Sequence, residues 1–190
     1  MNVMTAPDVW SDQDRALTVE DMENMPDDEF RYELDDGVLI VSPAPSNLHQ
    51  RVVFRLAQVL DAACPPEFEV VPGVGVNISR YQHRVPDVAV APADSMDTVF
   101  QVVPPLLAVE VASPWTRLYD RNRKKDVYEQ FGVPSYWIVE PDRDEPDLTV
   151  FELHDGRYQQ VGRVVGDDVF EAAQPFPVTV VPSALVRITR

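Results

Sequence analysis

The clearest periodic pattern in the chain follows Ser46 and predicts an amphipathic helix. Apolar residues recur there at intervals of three and four, the spacing that places side chains on one face of a helix. This stripe consists of Leu48, Val52, Val53, Leu56, Val59 and Leu60. Ser46 is a favourable N-cap residue, and Pro65-Pro66 ends the segment. A helix with one apolar face is expected to pack on a sheet.

The segments downstream of this helix predict strands over residues 68–78, 87–91, 106–112 and 136–140. Residues 87–91 and 106–112 are apolar nearly throughout, as strands covered on both faces of a sheet are. Glu110 interrupts the second of these buried strands. A buried carboxylate is costly unless it is paired or bound to a metal, so Glu110 indicates either a metal site or a buried ion pair with an arginine.

Two segments in which polar and apolar residues alternate predict β-hairpins with tight turns. They are residues 31–42, which turn at Asp36-Gly37, and residues 148–165, which turn at Asp155-Gly156. Residues 176–181 predict a further strand, and Thr18 can cap a short helix over residues 19–25. Helices and strands together predict a mixed α/β fold.

Residues 119–131 predict a second long helix. Spacings of four and three place four of its residues on one face, namely Asp120, Lys124, Tyr128 and Phe131. Lys124 can bury its stem among the aromatic residues and reach a neighbouring site with its ammonium group. The alternative is a surface pair with Asp120, which would contribute only about 0.3–0.5 kcal/mol. Lys125 lies on another face, which we expect to be solvated.

Length and composition predict one domain. With 190 residues, 45% of them apolar, the chain can bury one sizeable core, and we predict a single domain over residues 18–190 after a flexible segment over residues 1–17.

No apolar run approaches the roughly 18 residues of a membrane span, and the acidic start lacks the basic region of a signal peptide. Cys64 is the only cysteine, which excludes an internal disulfide and a cysteine-based zinc site. We therefore expect a cytoplasmic protein with no membrane partner.

The net charge of −16 argues against nucleic-acid binding until the charges are located along the chain. Residues 1–36 hold 12 acidic residues against two arginines, and residues 140–155 hold seven against one. The remaining residues are neutral overall. Their basic patch lies within residues 117–126 and contains Arg117, Arg121, Arg123, Lys124 and Lys125. Such a patch is either a solvated face or a surface that contacts phosphates.

The order of acidic and basic residues predicts metal-dependent phosphodiester chemistry. Asp87 and Glu110 lie on two predicted buried strands, and Lys124 follows them in a helix. Two carboxylates about 4 Å apart repel by roughly 4 kcal/mol at an effective dielectric constant near 20, so a cation or a proton must compensate them. Such oxygen ligands suit Mg²⁺ or Mn²⁺, and a nearby ammonium group can position the attacking water. Taken alone, an aspartate at a strand end is more often a turn residue or a cap.

Several short motifs occur in a characteristic order. They are Tyr32-Glu33-Leu34, Gly37, Ser42-Pro43, His49, Pro86-Asp87-Val88, Val109-Glu110-Val111, Ser113-Pro114, Asp120, Lys124, Tyr128, Gly132-Val133 and Tyr136-Trp137. In this order they resemble the Uma family of putative restriction endonucleases, within the PD-(D/E)XK nuclease superfamily. The resemblance covers residues 18–141. It implies a restriction-endonuclease-like core, in which helices flank a mixed central β-sheet, a Mg²⁺ site and cleavage of DNA phosphodiesters; the two predicted hairpins would be additions to that core.

The resemblance also implies roles for individual residues. Asp87 and Glu110 match the two acids of the superfamily motif and would bind the metal, with the backbone carbonyl of Val111 as a further ligand. A standard motif would place its lysine at residue 112, which is Ala112 here, whereas the Uma family has a helix lysine that matches Lys124.

Three further residues of the resemblance allow two interpretations each. Glu33 would approach the metal through water, although a glutamate beside Arg31 is usually a surface charge. His49 lies near the apolar stripe of its helix, where a packed, hydrogen-bonded histidine is favoured over a contact with substrate. Trp137 could stack on a base, but its buried strand favours packing in the core. The chain departs from the family pattern at Trp115 and Ser135.

We therefore predict a Mg²⁺- or Mn²⁺-dependent endodeoxyribonuclease. Asp87 and Glu110 would hold the metal ion, and a water molecule activated by the ion would attack phosphorus. Lys124 would orient this nucleophile or stabilise the developing charge. The residues expected to contact flanking DNA phosphates are Arg117, Arg121, Arg123 and Lys125. Cleavage of both strands usually requires two active sites, so we expect a homodimer. The alternatives are a nuclease-fold DNA-binding or interaction protein without catalysis, and a metal-dependent hydrolase of small phosphoesters or nucleotides.

Overall fold

The computed structural model describes residues 15–25, 30–95, 100–113 and 120–188. Of the segment predicted to be flexible, residues 1–14 lie outside these ranges. At its described end, the N–H of Leu17 donates to the carbonyl oxygen of Gly37 over 2.9 Å. Within the described ranges, no helix is long and apolar enough to cross a membrane.

Helices and strands alternate irregularly along the chain. In order they are α1 (Val19–Met22), β1 (Arg31–Asp35), β2 (Val38–Ser42), α2 (Asn47–Asp61), β3 (Phe68–Pro72), β4 (Val76–Ser79), β5 (Gln82–Arg84), β6 (Val88–Pro92), a 3₁₀ turn (Ala93–Ser95), β7 (Leu107–Val111), a π-helical turn (Asp120–Lys124), α3 (Lys125–Phe131), β8 (Ser135–Glu140), β9 (Asp147–His154), β10 (Arg157–Val165), β11 (Phe170–Ala172), β12 (Val178–Val180) and α4 (Pro182–Val186).

A mixed six-stranded sheet forms the centre of the fold, with strand order β10-β9-β8-β7-β6-β3. β7 and β8 pair in parallel, whereas the other neighbouring pairs of this sheet are antiparallel. A parallel pair requires a crossover connection, and α3 lies in that connection. An antiparallel sheet with the order β2-β1-β5-β4 and the pair β11-β12 complete the fold. The mixed sheet and both predicted hairpins are confirmed.

Alternation along β7 divides the core between the two faces of the central sheet. Val109 belongs to the apolar cluster that contains the stripe of α2. Ala108 and Ala112 belong to the cluster on the opposite face, together with Tyr128 of α3. Glu110 shares the parity of these two alanines, so its side chain lies on the face that α3 covers. The buried strand thereby delivers one carboxylate to the helix that carries the predicted lysine.

The prediction of one strand over residues 68–78 is wrong. One strand ends at Pro72 and a new strand begins at Val76. These two strands, β3 and β4, belong to different sheets. Gly73 lies at the break with φ +65°, a conformation that favours glycine. β5, β11 and α4 were not predicted, because elements of three to five residues contain too few periods to be recognised. α1 ends at Met22, three residues before the predicted end.

Candidate active site

Adjacent strands of the central sheet bring Asp87 and Glu110 together. Asp87 directly precedes β6, and its N–H donates to the carbonyl oxygen of Val109 in β7 over 2.9 Å. Val88 pairs with Val109, so Asp87 and Glu110 each lie one residue beyond this pair, at the same end of the two strands. Both residues are buried, with exposures of 4% and 1%.

Lys124 supplies a cation to this buried cluster. It is the last residue of the π-helical turn and the N-cap of α3, and it is 2% exposed. Its Nζ donates to Oε2 of Glu110 over 2.9 Å and lies 3.2 Å from Oε1 of Glu33. The ammonium group thus lies inside the protein between two carboxylates. The structure brings the predicted lysine into contact with one of the two predicted acids.

Glu33 belongs to the same cluster and is not a surface charge. It is 3% exposed, and its Oε1 accepts a hydrogen bond from the backbone N–H of Val85 over 3.0 Å. Burial alone would raise the pKa of Glu33, but the charge of Lys124 and the Val85 N–H outweigh burial and hold the pKa below its ordinary value. Glu33 is therefore a buried carboxylate that stays ionised.

Asp87 is held by three donors. Arg31 donates to its Oδ1 over 2.6 Å, and the backbone N–H of Val111 donates to its Oδ2 over 2.7 Å. Nε2 of His49 lies 3.1 Å from the same Oδ2. Burial alone would raise the pKa of Asp87, but the hydrogen bond to His49 and the charge of Arg31 hold the pKa well below its ordinary value. Lys124 acts in the same direction, which links Asp87 electrostatically to the Glu110 side of the cluster.

Tyr128 fixes the second oxygen of Glu110. Its hydroxyl donates to Oε1 over 3.0 Å, while Lys124 binds Oε2. Complete burial and the charge of Glu110 raise the pKa of Tyr128 well above its ordinary value, so the hydroxyl keeps its proton. Tyr128 follows Lys124 by four residues, and this spacing was the sequence signal that both reach the same target.

Arg31 and Tyr128 are site residues to which the sequence gave no role in the chemistry, and for His49 contact with substrate was the less favoured of two interpretations. The prediction that His49 is packed and hydrogen-bonded is confirmed, since it is 7% exposed and contacts Asp87. Arg31 shares one face of β1 with Glu33, and this alternation was the signal that both point to the same site.

The chemistry of the cluster fits a hard divalent cation. Its three carboxylates belong to Asp87, Glu110 and Glu33, and all three interact electrostatically with Arg31. The cations of the cluster are Arg31 and Lys124. Without counting His49, the three carboxylates and two cations leave one net negative charge. In the described part of the chain, no group of three or more His, Cys, Asp or Glu side chains is arranged so that it could hold a metal ion. Mg²⁺ commonly uses only one or two carboxylates and keeps several waters, so Asp87, Glu110 and the carbonyl of Val111 remain a chemically suitable donor set.

The predicted DNA-contacting residues are only partly described. Arg117 lies outside the described residues, and the side chain of Arg121 is not described either. Arg123 donates to the carboxylate of Asp35 over 2.8–3.1 Å and also pairs with Asp36. The Nζ of Lys125 lies 4.4 Å from the centroid of the Phe151 ring, so its face is not simply solvated, which corrects that expectation.

The preference for Trp137 as a core residue is confirmed. It is completely buried in β8, and its Nε1 donates to Oγ of Ser135 over 2.9 Å. Ser135, a departure from the family pattern, therefore satisfies the polar atom of the buried indole. Trp115, the other departure, lies outside the described residues.

Comparison with known proteins assigns the fold and the family of this chain. The chain folds as a mixed α/β protein of nuclease-like architecture. It is similar to the crystal structure of a protein from Anabaena variabilis, which is described as a putative nuclease belonging to DUF820. The TM-score is 0.66 and the sequence identity 15%, and the match covers 82% of this chain and 89% of that chain. At that identity, the likeness establishes the fold alone. Comparison with curated proteins gives no match. The model of the Uma2 family, described as putative restriction endonuclease, matches residues 19–184, and the chain belongs to this family.

Proposed function

We propose that this protein is a Mg²⁺-dependent endodeoxyribonuclease that hydrolyses DNA phosphodiester bonds. Membership of the Uma2 family supports nuclease activity. The observation that carries the proposal is the contact of the buried Lys124 with Glu110, in a cluster that includes Asp87. A buried set of charges is seldom more stable than apolar residues of similar volume, so its presence in the core favours a role in function.

Asp87, Glu110 and the carbonyl of Val111 would hold the metal ion, and Glu33 would bind through water. A divalent ion bound there would supply a water of lowered pKa and a Lewis acid for the phosphoryl oxygen. Mn²⁺ has similar ligand preferences and should replace Mg²⁺.

The protein's own residues would position the reactants. Tyr128 and Lys124 together fix both oxygens of Glu110, and His49 and the N–H of Val111 fix one oxygen of Asp87. Lys124 would orient the nucleophile or stabilise charge that develops on the phosphate. The side chain of Arg31 is 30% exposed, and its planar guanidinium group suits a phosphate with two oxygens to offer.

The proposal also includes contacts of the basic patch with DNA phosphates and the formation of a homodimer. Flanking phosphates would contact Arg117, Arg121, Arg123 and Lys125, and Arg123 would exchange Asp35 for a phosphate oxygen. A homodimer would place one site on each DNA strand. Sedimentation equilibrium measures the oligomeric state directly. A protein that is monomeric at the concentration at which it cleaves both strands would contradict the dimer.

The test is cleavage of supercoiled plasmid and of labelled oligonucleotides with Mg²⁺, with Mn²⁺ and with EDTA. We expect cleavage only with metal, and Asp87→Asn, Glu110→Gln and Lys124→Met should each lower the rate by roughly 100-fold or more. Glu171→Gln is the matched control, because Glu171 is exposed in β11, and its rate should equal that of the unaltered protein.

Calorimetric titration with Mn²⁺ in the absence of DNA provides a second readout. Binding that Glu110→Gln weakens and Glu171→Gln leaves unchanged is the expected result. Metal binding with cleavage of a chromogenic phosphodiester but of no DNA would support a small-phosphoester hydrolase. DNA binding with neither activity would support an interaction protein on a nuclease fold.

A further inference from the structure

A cavity of about 690 Å³ opens beside the candidate active site. Asp87, Arg31 and His49 line it, and Asp87 is the member of the predicted catalytic trio that does so in the described structure. Cavities of about 300–1,000 Å³ are typical of ligand sites. The space is therefore large enough for a ligand group that lies next to the carboxylate of Asp87.

One wall of the cavity is aromatic and rigidly supported. Phe100 and His83 line it, and their rings meet edge to face with centroids 5.0 Å apart. Both rings rest on Gly75: a Cβ atom added there would lie 2.5 Å from Cδ1 of Phe100 and 2.8 Å from Cε1 of His83. A side chain at position 75 would displace this wall, so the absence of one is what allows the two rings to sit here.

The polar groups of the wall are few and neutral. Nδ1 of His83 lies 2.7 Å from Oδ1 of Asn77, so Nδ1 carries the proton and Nε2 is an acceptor. Burial lowers the pKa of His83 to about 4, so the ring is neutral at pH 7. Gln50 also lines the cavity and adds an amide donor and acceptor. The partly exposed ring of Phe100, supported from behind by His83, which is 3% exposed, lies in the same cavity as the exposed amide of Gln50. An aromatic face with neutral donors and acceptors nearby matches a nucleobase, which has a flat π-face and hydrogen-bonding edges.

The burial of Asp87 restricts the form of nucleic acid that can reach it. Its side chain is only 3% exposed, so a substrate must enter the cavity and cannot simply lie across an open surface. A base in a duplex would first have to leave its stack, which costs free energy. A base in a single strand is already unpaired and can enter as the backbone bends towards Asp87.

The charge of the protein points in the same direction. Duplex binding depends on many contacts between phosphates and Lys or Arg side chains, and the chain carries a net charge of −16. Two cations of the basic patch must leave partners within the protein before they contact a phosphate: Arg123 pairs with Asp35, and Lys125 lies over Phe151. A single strand carries half the phosphate charge of a duplex of the same length, so the net charge opposes its binding less, and stacking of a base on an aromatic side chain adds affinity to it.

We propose that this cavity binds an unpaired nucleobase, and that single-stranded DNA is therefore the preferred substrate. Duplex DNA, with one site of the proposed dimer on each strand, would be the poorer substrate, because a base must first leave its stack. The preference for a substrate rests on the proposed nuclease function, whereas binding of the base does not.

The experiment measures equilibrium binding in EDTA by fluorescence anisotropy, with one labelled oligonucleotide supplied either as a single strand or as a duplex. We expect the single strand to bind at least roughly tenfold more tightly, as an unpaired base avoids the cost of extrusion. Phe100→Ala should weaken single-strand binding by roughly 5- to 150-fold, and Phe100→Trp should restore it. Phe54→Ala is the matched control, because Phe54 is 63% exposed on α2 and should not affect the affinity.

Equal affinity for the single strand and the duplex would overturn the proposal, as would equal effects of Phe100→Ala and Phe54→Ala. If Phe100→Ala fails to fold by circular dichroism, the comparison of single strand with duplex on the unaltered protein decides. Cleavage assays with Mg²⁺ separate the two proposals. Tight single-strand binding without cleavage would support the cavity and contradict the nuclease, whereas duplex cleavage without single-strand preference would contradict the cavity alone.

Discussion

Replacing Lys124 with methionine tests whether the buried cluster is held together by charge. Methionine keeps much of the volume of the stem but removes the ammonium group that contacts both Glu110 and Glu33. Lys124 is 2% exposed, so water cannot replace the lost cation without rearrangement. Removing one partner of a buried ion pair typically costs about 3–5 kcal/mol, and we expect the free energy of unfolding at pH 8 to fall by that amount.

The loss should shrink as the pH falls. In the native protein the pKa of Glu33 lies below its ordinary value, so its contribution to stability is present above the unfolded pKa and is lost as the pH falls through the folded one. In the Lys124→Met variant we expect burial to outweigh the Val85 N–H and the charges of Arg31 and Arg84, so that the pKa of Glu33 rises above the unfolded value. The folded variant then takes up a proton that the unfolded chain does not, so its stability increases towards low pH. The difference between the two proteins should narrow by up to about 1.4 kcal/mol per pH unit.

Urea denaturation from pH 5 to pH 8, followed by tryptophan fluorescence, measures both effects because Trp137 is completely buried. Lys125→Met is the matched control in the same helix. Its Nζ interacts with the ring of Phe151, and such contacts contribute about 0.5–1 kcal/mol when exposed, with no pH dependence over this range. Equal stabilities of the two variants at pH 8, or a loss for Lys124→Met that does not change with pH, would refute the reasoning.

Two further predictions concern stability at residues other than Asp87, Glu110 and Lys124. Asp35 pairs over 2.6 Å with Arg84, which is completely buried. Asp35→Asn should therefore lower the free energy of unfolding, measured by urea denaturation, by about 3 kcal/mol or more. The control is Asp36→Asn, which should lower it by at most about 1 kcal/mol because the side chain of Asp36 is 72% exposed. Similar costs would show that Arg84 does not depend on Asp35. His83 has a folded pKa of about 4 against 6.5 for an ordinary histidine, so between these values the unfolded state binds more protons and stability rises with pH. Its protonation should therefore remove about 3 kcal/mol between pH 7 and pH 4, and His83→Gln should flatten the pH profile; an unchanged profile would contradict a buried, neutral ring.

Local periodicity was sufficient for the longer elements. The stripe of α2, the buried strands β6 and β7 and both hairpins were predicted, because periods of 3.6 and 2 residues are properties of consecutive side chains. The same pattern failed over residues 68–78. Alternation indicates a strand, but it does not indicate the sheet that the strand joins or a break within it.

The order of residues along the chain also predicted which side chains to examine at the site. Asp87, Glu110 and Lys124 were singled out from buried strands, one helix face and the resemblance to the Uma family, which the family match confirms. Their roles in catalysis remain predictions. The contact between Lys124 and Glu110 is what the structure adds to them.

The sequence by itself thus determined the kinds of element, the family, and the chemical types that a phosphodiesterase site would need. Only the tertiary structure decided that Tyr128 and His49 hold the carboxylates of the cluster and that Arg123 pairs with Asp35. These partners lie between 18 and 88 residues apart, beyond the reach of any helical or strand period. Side chains so distant in the chain meet only because strand pairing and core packing fix where each backbone segment lies.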